Sequence, residues 1–107
     1  MSKQFTDANF QTEVIEASKT KPVLVDFFAS WCGPCKLQGP IVDAVSDLIG
    51  DKAIVGKVDT EVSPEVSSRY GVMSIPTLII FKGGQEADTF VGLQSKESLL
   101  EALKKHI

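Results

Sequence analysis

The sequence predicts an α/β fold, one central sheet with helices packed on both faces, and three observations lead there. Strand-length apolar runs alternate with stretches of helical periodicity along the chain. One run, Val23-Leu24-Val25-Asp26-Phe27-Phe28-Ala29, is almost unbroken, as a strand covered on both faces requires. The length of 107 residues suits one domain, residues 1–107. At that size a single core buries roughly 65% of the unfolded chain's surface, with no need of a disulfide staple or structural metal.

The elements follow in order. A short first strand lies around Gln4 and Phe5. Thr6-Asp7-Ala8-Asn9 offers capping side chains for a first helix, in which Phe10 and Val14 sit one turn apart. Pro22 ends that pattern, and the apolar run at 23–29 is the second strand. Ser30-Trp31-Cys32-Gly33-Pro34-Cys35 turns the chain into a second helix, where Leu37, Ile41, Ala44, Val45, Leu48 and Ile49 recur at helical spacing and Gly50 suits a C-terminal cap. Residues 53–58 form the third strand. Ser63-Pro64-Glu65 starts a third helix with a cap residue, a proline in the first turn and an acid near the positive helix end, and Gly71 closes it. Residues 77–81 are a fourth strand, Gly83-Gly84 a hairpin turn, and residues 87–91 the returning strand. A last helix starts near Ser95, with Leu99, Leu100 and Leu103 on its buried side.

Composition narrows the function. Apolar residues make up 43% and charged residues 23%, a globular balance. The net charge of −3 gives no general attraction for nucleic acid or an anionic membrane. No apolar run approaches the roughly 18 residues of a membrane span. Met-Ser-Lys-Gln-Phe-Thr-Asp lacks the apolar core of a signal peptide, which predicts a cytoplasmic protein whose thiols are kept reduced. Lys96, Glu97, Glu101, Lys104 and Lys105 on the last helix read as a solvated face.

The chain has two cysteines, Cys32 and Cys35, and four readings compete for them. A structural disulfide would close a tiny loop and restrict the unfolded chain little. A zinc site needs about four ligands, and His106, close to the chain's end, is the one obvious nitrogen donor left. Two inert core thiols are the plain alternative, since free cysteine is commonly buried. A redox pair is favoured by three features. The pair opens a helix after a buried strand, so unpaired backbone N–H groups and the helix dipole should stabilise a Cys32 thiolate and lower its pKa. Gly33 permits close backbone approach and Pro34 restricts the turn, so both sulfurs can meet. Cys35 lies one turn further in, toward the sheet. The expectation is an exposed, easily ionised Cys32 with a hidden Cys35 within its reach.

Trp31-Cys32-Gly33-Pro34-Cys35-Lys36 resembles the active-site motif of the thioredoxin family. Val25-Asp26-Phe27, Pro40, Lys57, Val58-Asp59, Ile75-Pro76-Thr77, Phe81-Lys82-Gly83-Gly84 and Val91-Gly92 are similar to that family as well, so the likeness spans nearly the whole chain. The resemblance implies a lowered pKa of the first cysteine as well. The resemblance implies the thioredoxin fold, a five-stranded mixed β-sheet flanked by four α-helices. It implies reduction of disulfides in partner proteins through a mixed disulfide at Cys32 resolved by Cys35. It implies recharging of the Cys32–Cys35 disulfide by a thioredoxin reductase that uses NADPH and FAD. No Gly-rich phosphate loop suggests a cofactor, and no metal set is evident in this chain; a monomer is expected.

The supporting residues have both functional and plain readings. Asp26 is an acid in an apolar strand; burial should raise its pKa, and the resemblance makes it the proton acceptor for Cys35, against the plain reading of an acid that reaches solvent. Lys57 either lies beside Asp26 and tunes its charge or buries its stem and sends its head to water. Trp31 reads as a partly exposed contact surface rather than core. Pro76 could open an edge strand in the trans form; the resemblance implies a cis Ile75–Pro76 bond facing the cysteines. Gly33, Pro34, Ile75, Pro76, Val91 and Gly92 would then make a small, apolar docking platform for an extended peptide. The chain departs from the family at Phe28, where Trp is common, at Leu37-Gln38-Gly39, usually more hydrophobic, and at Met73-Ser74. Two other functions fit the same fold: a binding subunit in which the cysteines matter little, and an oxidant or isomerase. Gly-Pro between the cysteines resembles the reducing members.

Overall fold

The computed structural model describes residues 2–107. Its elements are β1 (Lys3–Phe5), a helical segment at 11–19, β2 (Val23–Phe28), α1 (Gly33–Ile49), β3 (Ile54–Asp59), α2 (Pro64–Arg69), β4 (Thr77–Lys82), β5 (Gln85–Val91) and α3 (Lys96–Lys104). This is the expected alternation. The opening helical segment differs in its winding: Gln11–Glu16 is π-helical and Ala17–Lys19 is 3-10. Phe10 and Val14 are nonetheless fully buried, as their spacing predicts. No described helix is long and apolar enough to cross a membrane.

The five strands form one mixed sheet in the order β1-β3-β2-β4-β5. β2 pairs in parallel with β3 and antiparallel with β4, so the most apolar run of the sequence is the central strand. Its alternation divides the core. Val23, Val25 and Phe27 join Phe5, Phe10, Val14, Val66 and Phe81 on one face. Leu24 joins Val42, Val45, Ile49, Leu99 and Leu103 on the other, under α1 and α3. By the same alternation Asp26 belongs to the α1 side. Gly83 and Gly84, at φ 67° and 85°, make the turn between β4 and β5, a conformation that residues with a Cβ rarely adopt.

Two local expectations are corrected. On α1 the buried stripe is Cys35, Gln38, Val42, Val45 and Ile49, while Leu37 and Leu48 are 63% and 61% exposed. The helix carries two overlapping apolar stripes, and the polar Gln38 made the wrong one look cleaner. At α2, Ser63 holds the N-cap position but its side chain caps nothing. Asp7 does so from across the molecule: its carboxylate accepts the N–H groups of Glu65 (3.3 Å) and Val66 (2.9 Å). In return the Asp7 N–H donates to the Ser63 hydroxyl at 3.2 Å.

Candidate active site

The loop after β2 delivers Cys32 to the N-cap of α1 with an extended backbone, φ −84° and ψ 116°. Cys35 follows within the first turn, 5.3 Å away between Cα atoms, and the two are joined as a disulfide. Cys32 Sγ also accepts the Cys35 N–H at 3.2 Å, and the Ile75 carbonyl oxygen lies 3.7 Å from it. The N-terminus of α1 therefore already directs an amide at the sulfur that would carry negative charge after the bond is cleaved.

The expected contrast in exposure is not found. Cys32 is 4% exposed and Cys35 5%. The Cys32 sulfur turns inward, toward Cys35, its amide and Ile75, so the residues open to solvent here are Trp31 (69%), Gly33 and Pro34. What distinguishes the sulfurs is place on the helix: one caps it, the other lies inside it.

The Ile75–Pro76 peptide is cis, as the family resemblance implies. Val91 pairs in register with Thr77 on β4, and the Gly92 N–H donates to the Pro76 carbonyl at 2.8 Å. Gly92 has φ 94°, which favours glycine. Ile75, Pro76, Val91 and Gly92 are thus neighbours, with Ile75 touching Cys32; Val91 is 64% exposed.

Behind the disulfide, a cleft of about 290 Å³ is lined by Asp26, Cys35, Gly39, Pro40, Asp43 and Lys57, among others. Asp26 is completely buried, which removes the reading of an acid that reaches solvent. Neither of its carboxyl oxygens has a hydrogen-bond partner among the described residues. Burial pushes its pKa up from 3.8 to about 7; the Lys57 ammonium opposes this and the Asp43 carboxylate adds to it.

Lys57 sits opposite Asp26 in the parallel register of β2 and β3, close to where the sequence reading put it. Its ion pair, however, is with Asp43, at 3.2 Å. Asp43 also accepts the Ser2 hydroxyl at 2.6 Å, and that bond is the main reason its carboxyl stays below the usual range.

Sequence reasoning missed Asp43 and Gln38. The spacing Cys35, Gly39, Asp43 puts the acid on the cleft side of α1, a signal available from period alone. Gln38 is the one polar residue on the buried stripe. Among the described residues no group of three or more His, Cys, Asp or Glu side chains could hold a metal ion, and His106 pairs with Asp88 at 2.8 Å.

The arrangement can carry out thiol–disulfide exchange. It has a sulfur at a helix N-terminus, a second sulfur three residues further in, and, lining the same cleft as that second sulfur, an acid whose pKa burial raises to about 7.

The family model Thioredoxin matches residues 1–105. Thioredoxin 1 of Synechococcus elongatus is 51% identical over 102 residues, 95% of this chain and 94% of that protein. Thioredoxin 1 of Nostoc sp. is 48% identical over 104 residues, 97% of this chain and 95% of its own length. Thioredoxin of Rickettsia felis is 46% identical over 107 residues, the whole of both chains.

Proposed function

The chain belongs to the thioredoxin family and is a thiol–disulfide oxidoreductase with protein-disulfide reductase activity; on that premise we propose the division of labour by which its residues carry out the reaction. The Cys32 thiolate attacks one sulfur of a disulfide in a partner protein. A mixed disulfide forms at Cys32, and the partner's other sulfur leaves as a thiolate. Asp26 takes the proton of Cys35. The Cys35 thiolate attacks the Cys32 sulfur, the Cys32–Cys35 bond forms, and the partner's second sulfur leaves. Two electrons have passed to the partner, whose disulfide is now two thiols.

Lys57, with Gly33 and Pro34, tunes the pair, while Trp31, Ile75, Pro76, Val91 and Gly92 receive the substrate. The redox group is the cysteine pair itself; NADPH and FAD act in thioredoxin reductase, the partner that reduces the disulfide again. One domain spans residues 1–107, the protein works as a monomer with its exchange face open, and it works in the cytoplasm, where a reductant is renewed.

The observation that carries this reading is the Cys32–Cys35 disulfide at the mouth of α1, with Asp26 lining the same cleft and bonded to no partner among the described residues. Reduction of insulin disulfides tests it, driven first by a chemical dithiol and then by a thioredoxin reductase with NADPH. Catalysis is expected in both, none with Cys32→Ser, and a trapped mixed disulfide with Cys35→Ser. A rate no higher than that of the dithiol alone would overturn the reading. Success with the dithiol but not the reductase would remove the proposed partner.

A further inference from the structure

Gln38 is completely buried on the stripe of α1 that carries Cys35. Its side-chain oxygen accepts the Gln94 N–H at 2.7 Å, and its side-chain nitrogen donates to the Gln94 carbonyl at 3.0 Å. One side chain thus satisfies both backbone groups of a single residue, as a neighbouring strand would. Gln94 lies in the connection between β5 and α3, two residues beyond Gly92. Gly92 is itself tied to Pro76 by its N–H. Residues 91–94 are therefore pinned from two sides, by the cis-proline turn and by the helix that bears the cysteines. The remaining buried positions of this stripe are Cys35, Val42, Val45 and Ile49. A glutamine among them is tolerated because both ends of its amide are bonded; without Gln94 it would be a buried polar group left unpaired.

We propose that Gln38 is a positioning residue for protein substrates: it fixes the 91–94 segment against the Cys32–Cys35 turn, so that Val91 and Gly92 meet an incoming chain at a set distance from the reacting sulfurs. The proposal rests on the reading that Val91 and Gly92 contact the substrate. A protein disulfide has to lie across that segment, whereas a small aromatic disulfide needs only the sulfurs. Gln38 therefore sets the preference for protein disulfides over small ones.

The test compares the parent with Gln38→Met, which keeps the length of the side chain and loses the amide. In the parent, the Gln94 amide should exchange with solvent hydrogen at least tenfold more slowly than an open loop amide. This measurement needs no variant. In Gln38→Met that protection should be lost, and KM for insulin disulfides should rise about three- to tenfold with kcat little changed. Reduction of a small aromatic disulfide should stay within twofold of the parent.

An unprotected Gln94 amide in the parent, or protection kept in Gln38→Met, overturns the clamp itself. Lost protection with an unchanged KM for insulin overturns the proposal by the other route, by showing that the segment takes no part in docking. Equal losses toward insulin and the small disulfide also overturn it, since they place the effect at the cysteine pair.

Discussion

Asp26 and Gln38 are both polar, both completely buried, and both sit on the α1 side of the sheet near the disulfide, yet they are treated in opposite ways. Gln38 has each end of its amide bonded to the backbone of Gln94. Asp26 has neither oxygen bonded among the described residues. A satisfied buried amide fixes the position of what it holds. An unsatisfied buried carboxyl holds its proton more tightly and gives it up near neutral pH. One group supplies shape and the other supplies a proton site. The difference arises from their partners, not from their depth.

The largest test of that contrast is to remove the unpaired acid. In the folded chain Asp26 keeps its proton up to about pH 7, against an ordinary value of 3.8. Well below pH 3.8 the carboxyl is protonated in both folded and unfolded chains. As pH rises the unfolded chain ionises first, so stability from this group is lost as pH climbs through the folded pKa. The loss by about pH 8 is about 4 kcal/mol. Asp26→Ala should abolish that slope, and urea titrations at pH 4 and pH 8 should show its advantage over the parent growing by about that amount. The same variant should resolve the mixed disulfide at Cys32 more slowly, on the order of a hundredfold, and lose the rise in rate near pH 7. Single-turnover resolution at the parent's rate would remove Asp26 from the reaction.

The second test makes residue 38 resemble residue 26. Gln38→Glu keeps an acceptor for the Gln94 N–H and loses the donor to the Gln94 carbonyl. At pH 8 it should be destabilised by about 2–3 kcal/mol. At pH 5 the loss should be smaller, because a protonated carboxyl can donate in the amide's place. Equal losses at the two pH values would mean that the donor to Gln94 does not matter.

The smallest effect is expected at the rim of the cleft. Asp43→Asn breaks the ion pair with Lys57, which should change stability by less than about 1 kcal/mol. It should lower the pKa of Asp26, since it removes a nearby negative charge and frees the Lys57 ammonium to favour the Asp26 carboxylate. A carboxyl titration followed by NMR checks the direction; a rise would mean that Lys57 moves away into solvent.

Much of this molecule is legible from local pattern. The unbroken run at β2, the Gly83-Gly84 turn, the cap at Ser95 and the spacing of Leu99 and Leu103 all express rules that act over a few residues. So does the disulfide, because Cys32 and Cys35 are three residues apart at one helix start. What stayed hidden depends on residues brought together from far apart. The buried stripe of α1 could not be chosen without knowing that Gln94 waits for Gln38, 56 residues on. The pairing of Lys57 with Asp43 rather than Asp26 needs the placement of α1 over β3. The π-helical winding of Gln11–Glu16 has no counterpart in residue spacing, since Phe10 and Val14 would be buried in either winding.

The capping of α2 by Asp7 bears on the order in which the chain assembles. Six residues are far too few for a helix to persist unaided in water. The carboxylate that completes its first turn belongs to Asp7, 58 positions before Glu65 and 59 before Val66. That short helix is therefore a product of long-range closure, not a seed for it, and it gains its shape only once the beginning of the chain has come to rest beside it.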